Sequence, residues 1–288
     1  MKITLFVVTY KNDKVLNEMV LKSLHDSKYP HDLVNVKILN NFGDRIEIDD
    51  KFKPLINEIH HNTIRLDNST GHLARDWNHG IMNAFVSLKK PRCDAVILLQ
   101  NDTIMKEDWY LIAKKCVNEF SYCSFGCGDQ CQIVRPDAIA RIGMFDERFC
   151  NIGFQECDYF IRAVLREKER CSINDPSHGR VFNQRSDLNP IVPTISGFLR
   201  RDSHHMESFN FHHVSKSFLI EKWGAPIVPP WGNTKDLARL LLESKAPFRK
   251  MWKMYPYFEN DIDQNAYLTD NYFHGKSIEN EKKRIKLI

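Results

Sequence analysis

The chain predicts an open α/β fold, in which strands alternate with helices at short intervals and are joined by right-handed crossovers. Three observations carry this expectation. Residues 3–10, 36–39 and 94–99 are short runs rich in Val, Ile and Leu with polar residues at their ends, the pattern of strands covered on both faces. Leu73, Trp77, Ile81, Phe85 and Leu88 place an apolar residue almost every fourth position, which makes an amphipathic helix. The hydrocarbon run Ala95-Val96-Ile97-Leu98-Leu99 stops abruptly at Gln100-Asn101-Asp102-Thr103. Sheets of this kind bind ligands beyond the carboxyl ends of their strands, which is where Asp102 would sit. It is either a metal-holding carboxylate or a turn and cap acid.

The elements follow in order. Residues 3–10 form a first strand; as a signal peptide the same stretch fails, since its apolar core is short and no small-residue cleavage site follows. Residues 15–24 have helical spacing, and the second strand, 36–39, ends at Asn40-Asn41. A polar stretch leads to residues 58–66, then come the helix from Leu73, the strand 94–99 and a helix over 107–120. Residues 125–134 read as one extended segment, Pro136 opens a short helix, and 156–167 is a helix with Phe160, Ile161, Val164 and Leu165 apolar. Residues 172–193 are rich in Asn, Asp, Ser and Pro and predict a long mobile loop. Further on, a helix is expected over 235–244 and a solvated charged helix over 279–286.

Composition bounds the function. At 288 residues the chain suffices for one large domain or one and a half, with 42% hydrophobic and 27% charged residues, ordinary for a globular protein. A net charge of +4 permits anionic ligands such as nucleotides without demanding nucleic acid; for the latter there is only Lys282-Lys283-Arg284 with Lys286, so no nucleic-acid partner is expected. No apolar run approaches the roughly 18 residues of a membrane span. The eight cysteines are scattered, apart from Cys123, Cys127 and Cys131. That spacing is not a zinc pattern, and reduced, packed thiols in a cytoplasmic protein are the expectation.

Five stretches, in this order, resemble the GT-A glycosyltransferases, specifically the family 2-like group that uses nucleotide-sugar donors. They are Phe6-Val7-Val8-Thr9-Tyr10-Lys11-Asn12; the stretch from Leu66 to Gly80, with Gly71, Ala74, Arg75 and Asn78; and Leu98-Leu99-Gln100-Asn101-Asp102-Thr103. Next comes Gly143-Met144-Phe145-Asp146-Glu147-Arg148-Phe149, which leads to Gln155-Glu156-Cys157-Asp158-Tyr159-Phe160-Ile161-Arg162; His212-His213-Val214-Ser215 is last. The resemblance covers roughly residues 1–225. It implies a GT-A (Rossmann-like) open mixed sheet flanked by helices, with residues 226–288 a C-terminal helical or loop extension on the active site. It also implies transfer of a sugar from a nucleoside diphosphate sugar, UDP first among candidates, to a glycan or other hydroxyl acceptor.

The residues fit roles in that chemistry. Thr9 and Tyr10 end the first strand, where a Tyr ring stacks on a base or merely closes a strand; Asn12 follows. Asn40 and Asn41 stand where the family often has an acid that reads base or ribose. Gly71 and Ala74 resemble the family's G-x-x-x-A-x-N segment, with Arg75 and Asn78 on the same helix start, which favours an anion; Arg75 reaches either a phosphate or an acidic neighbour. Asp102 matches the last acid of the family's metal-binding D-x-D, with Gln100 in place of the first acid and Asn101, read as nucleotide-binding, between. Mn²⁺ or Mg²⁺ is therefore expected to bind together with the nucleotide, and His212 or His213 is the natural extra ligand. Aligned on Arg162, Gln155-Glu156 occupy the family's Glu-Asp pair, so Glu156 is the candidate general base, with Asp158 beside it; both also suit a helix N-terminus. Arg180 or Arg185 either clamps phosphate when the 172–193 loop closes or belongs to a plain linker. Two alternatives stand: a degenerate domain that binds glycan or nucleotide without catalysis, and a sugar nucleotidyltransferase. The second calls for a Gly-rich loop after the first strand, where Thr9-Tyr10-Lys11-Asn12-Asp13 has no glycine.

Overall fold

The computed structural model describes residues 1–41, 43–61, 73–126, 130–147, 149, 154–175, 180–183, 185–192 and 219. Its strands are β1 (Ile3–Thr9), β2 (Val34–Asn40), β3 (Glu58–His61), β4 (Ala95–Gln100), β5 (Ile104–Met105), β6 (Tyr122–Phe125), β7 (Cys131–Val134), β8 (Cys171–Asp175), β9 (Arg180–Phe182) and β10 (Ile191–Val192). Its α-helices are α1 (Asp13–Val15), α2 (Lys22–Asp26), α3 (Leu73–Phe85), α4 (Trp109–Glu119), α5 (Pro136–Ile142) and α6 (Phe154–Glu167); a π-helical segment, Leu16–Leu21, makes α1 and α2 one continuous rod. Eight strands form a single sheet in the order β3-β2-β1-β4-β7-β6-β8-β9, and β5 pairs with β10 apart from it. β3, β2, β1 and β4 are mutually parallel; β7 is inserted antiparallel between β4 and β6, and β9 is antiparallel to β8. The sheet is mixed.

Every residue of β1 is buried, because both sheet faces are covered, as a parallel sheet requires. Ile3, Leu5 and Val7 join Leu16, Val20, Leu24, Trp109 and Ala113 on one face, while Phe6 and Val8 join Trp77, Ile81, Phe85, Tyr159 and Phe160 on the other. The apolar stripe seen in sequence is thus the inner face of α3. Gly80 lies on that face: a Cβ there would sit 2.8 Å from Phe6 Cδ1 and 3.0 Å from Leu98 Cδ2, so glycine lets α3 settle directly on β1 and β4.

Two expectations are corrected. The extended segment 125–134 is a hairpin of β6 and β7, broken at Gly126, whose φ of +91° belongs to the left-handed half of backbone space that glycine tolerates. The predicted mobile loop 172–193 contains β8, β9, a 3₁₀ turn (Ser186–Leu188) and β10. Here Cys171 and Ile173 are buried against β6, and polar composition misleads because a strand near a sheet edge keeps polar residues among its apolar ones. The expected helices over 235–244 and 279–286, and the division at residue 225, lie outside the described residues. No helix among those described is long and apolar enough to cross a membrane.

Candidate functional site

β1, β2 and β4 run parallel, so they end at one edge, with Thr9 opposite Asn40 and Val8 opposite Gln100. This edge is cross-linked just beyond the strands. The Asn101 amide donates to Thr9 Oγ1 (3.0 Å), and the Asn41 N–H to the Thr9 carbonyl (2.9 Å). Past Thr9, Lys11 adopts a positive φ of 49° and its ammonium lies 5.0 Å over the Tyr10 ring, while the Asn12 carbonyl accepts the Leu16 N–H and starts the helical rod. Asn40 donates to the Arg45 carbonyl (2.7 Å) and lies 3.2 Å from His61 Nδ1; Asn41 donates to Asp76 (2.6 Å) on α3. The amide NH₂ groups of both asparagines thus brace the loop after β2. Asp102 is half-buried in the turn after β4, which Thr103 closes through its N–H to Gln100 O (3.3 Å) and its hydroxyl to Gln130 O (3.0 Å).

Two helices approach this edge on the Phe6 face. In the first turns of α3, Arg75, Asp76 and Asn78 are all buried. Asn78 donates to the Phe145 carbonyl (2.9 Å) and Glu147 (2.7 Å) and accepts the Phe145 N–H (2.8 Å), which clamps the Gly143–Phe149 motif to α3. On α6, Asp158 receives the Arg162 guanidinium at 2.9 Å, and Arg162 also donates to the carbonyls of Ile142 (3.0 Å) and Met144 (2.7 Å). The far end of α6 is fixed by Glu167, which accepts from Ser121 just before β6. Hence α6 runs antiparallel to β6, and its first turn, with Gln155 and Glu156, returns to the edge where β1, β2 and β4 end. Phe154 shares a core cluster with Phe6 and Leu98.

The structure therefore gathers Thr9, Tyr10, Asn12, Asn40, Asn41, Asn101 and Asp102 at the carboxyl end of the parallel strands, with Arg75 and Asn78 in the first turns of α3 and Glu156 in the first turn of α6. Asp158 sits a step inward, engaged by Arg162. Gly71, His212 and His213 lie outside the described residues. Arg185 is exposed, and its guanidinium donates to Asp187 (3.0 Å) and to Glu119 at the end of α4. Arg180 lies in β9. Among the described residues no three His, Cys, Asp or Glu side chains are grouped to hold a metal.

Sequence reasoning missed a pair of histidines, His79 buried on α3 and His60 half-buried on β3. His79 Nε2 lies 3.4 Å from His60 Nδ1, and His60 Nε2 lies 3.0 Å from Glu58, which Lys37 also contacts at 2.7 Å. Burial, then the nearby His60, Lys37 and Arg75, push the His79 pKa down to about 3, and burial also lowers that of His60. The signal was a lysine in the middle of strand β2, which needed an acidic partner.

Neither a protein-family model nor a curated protein matches the sequence. Solved structures do match. S. aureus TarS 1–349 is 12% identical over 99% of this chain and 80% of its own, with a TM-score of 0.50. The same protein in complex with UDP-GlcNAc aligns over 99% and 81%, again at 12% identity, with a TM-score of 0.51.

The fold is GT-A.

In this GT-A sheet the carboxyl edge carries the polar side chains just described, in agreement with the general rule that open α/β sheets bind ligands there.

Proposed function

We propose that this protein is a glycosyltransferase that moves a sugar from a nucleoside diphosphate sugar, with UDP the first candidate, to a hydroxyl of a glycan or glycoconjugate. What supports this reading is the course of α6, whose first turn, with Glu156, starts towards the end of the sheet that carries Asn40, Asn41 and Asn101, 55 to 116 positions away in sequence. Glu156 would accept the proton of the acceptor hydroxyl as that oxygen bonds to the anomeric carbon from the face opposite the diphosphate. The bond to the diphosphate breaks and its electrons leave with it, so a single displacement inverts the anomeric centre. Asp158, held by Arg162, keeps the first turns of α6 on residues 142–144 and thereby positions Glu156.

Mn²⁺ or Mg²⁺ is the cation this reading implies: Asp102 would supply a carboxylate oxygen, and His212 or His213 would add a nitrogen. When bound, such an ion neutralises charge on the leaving diphosphate. Asn101 holds the turn bearing Asp102 to the end of β1.

General-base assistance is typically worth about 10²–10⁴-fold. Glu156→Gln should therefore lose turnover by that factor while donor affinity, measured by titration calorimetry, stays within about twofold. Near-full turnover under saturating donor and acceptor would refute the role. The presence of Gln100 in place of an acid favours a second reading, a non-catalytic binding domain. Wild-type protein that binds nucleotide sugars but neither transfers nor hydrolyses them, with or without Mn²⁺, would establish it.

A further inference from the structure

His60 and His79 meet on the face of the sheet that α3 covers. β3 sets the His60 ring 5.9 Å from that of Phe6, and α3 sets the His79 ring 5.7 Å from it, centre to centre. The two imidazoles lie 5.1 Å apart with their planes at 77°, so they do not stack. Their edges meet instead, Nδ1 of His60 against Nε2 of His79 at 3.4 Å. That separation is long for an N–H hydrogen bond, which spans about 2.7–3.2 Å. It matches two nitrogens on one tetrahedral ion, which stand about 3.3–3.4 Å apart when each bond is about 2.0–2.1 Å. An octahedral ion with bonds of that length brings adjacent ligands to about 2.9 Å.

The groups behind the pair suit this geometry. His60 Nε2 lies 3.0 Å from Glu58, and the Lys37 ammonium, 2.7 Å from the same carboxylate, holds its pKa below the usual range. A carboxylate there accepts the Nε2 proton and leaves the Nδ1 lone pair facing His79, the arrangement that orients metal-bound imidazoles. Lys37 is held in its turn by Asn83 at 2.8 Å. His79 is buried, while 24% of the His60 side chain is exposed, which gives an ion a way in from solvent. Burial lowers the pKa of both rings, so both are neutral at pH 7, the form that ligates.

We propose that His60 Nδ1 and His79 Nε2 form a site for a transition-metal ion, zinc first among candidates, with water completing the tetrahedron. Its chemistry differs from that of Asp102: imidazole suits zinc, copper and nickel, whereas carboxylate oxygen suits Mg²⁺ and Mn²⁺. Lys37 and Arg75 both act on His79 as positive neighbours. They disfavour an ion held by charge alone and select one that bonds strongly to nitrogen. With one bond to each, the ion ties β3, an edge strand of the sheet, to α3. The site does not depend on the glycosyl-transfer reading.

The test uses the full chain, stripped by a chelator and titrated without nucleotide. Excess Mg²⁺ keeps oxygen sites filled while Co²⁺ and then Zn²⁺ are added. Co²⁺ should give the intense visible bands of a four-coordinate site, without the near-ultraviolet charge-transfer band of a thiolate ligand. Zn²⁺ should displace it and raise the melting temperature. His79→Phe and His60→Gln should each weaken Zn²⁺ binding about tenfold or more; Glu58→Gln, which keeps both ligands, should weaken it by about 10–100-fold, as loss of an outer carboxylate typically does. His60→Gln alone decides the matter if His79→Phe does not fold. Zinc affinity unchanged in His60→Gln, or a thiolate band with cobalt, places the ion elsewhere and overturns the proposal. So does wild-type protein that shows neither cobalt bands nor a zinc-dependent rise in melting temperature; the 3.4 Å contact is then a long hydrogen bond between neutral rings.

Discussion

The imidazole of His79 lies 5.7 Å from the Phe6 ring centre and 3.4 Å from His60 Nδ1, in the core between α3 and the sheet. Burial is the main reason its pKa falls to about 3, with positive neighbours adding to it. The unfolded chain takes up this proton near pH 6.5, and the folded chain refuses it until about pH 3. Stability from this residue is therefore complete above pH 6.5 and is lost progressively as pH falls towards 3. Guanidinium melts at pH 7 and pH 4.5 should show the wild type losing on the order of 2–3 kcal/mol more than His79→Phe over that interval. Equal losses would mean that His79 is hydrated in the folded state. The sequence alone showed a histidine on the inner stripe of a helix; only its tertiary neighbours make that imidazole neutral at pH 7.

At the scale of elements, one buried ion pair fastens α6. Asp158 and Arg162 are 0% and 1% exposed and bind each other four residues apart, so the pair fastens the helix to residues 142–144. Removing one partner leaves a buried charge alone, at a typical cost of about 3–5 kcal/mol. Arg162→Met should show that loss in urea melts, and adding Asp158→Leu should restore at least half of it. A double variant as unstable as the single would place the stability in the carbonyl contacts of Arg162 instead. The helix itself was legible from its apolar positions, as was α3 from its four-residue repeat. The strands β8 and β9 were not, because Asn and Asp read as loop residues until β6 supplies a pairing partner.

Across the whole molecule, β1 and β4 are neighbours at the centre of the sheet and are covered by a core on each face. Opening them requires both cores to separate. Native-state hydrogen exchange should find the amides of β1 and β4 the slowest in the protein, and those of the edge strands β3 and β9 several orders of magnitude faster. Comparable protection throughout would indicate that the sheet opens only as a unit.

By itself the sequence determined which segments are strands and helices over most of the first 167 residues, and where polar residues terminate β1, β2 and β4. These are local patterns: a stripe or a run records which face of a segment must leave water. The tertiary structure alone decided the antiparallel insertion of β7, the direction of α6, the engagement of Asp158 by Arg162, and the histidine pair. Each of these depends on contacts between residues far apart in the chain, such as Asn78 with Phe145 or Thr9 with Asn101. Side-chain periodicity carries no information about which distant segment will fill the partner's place.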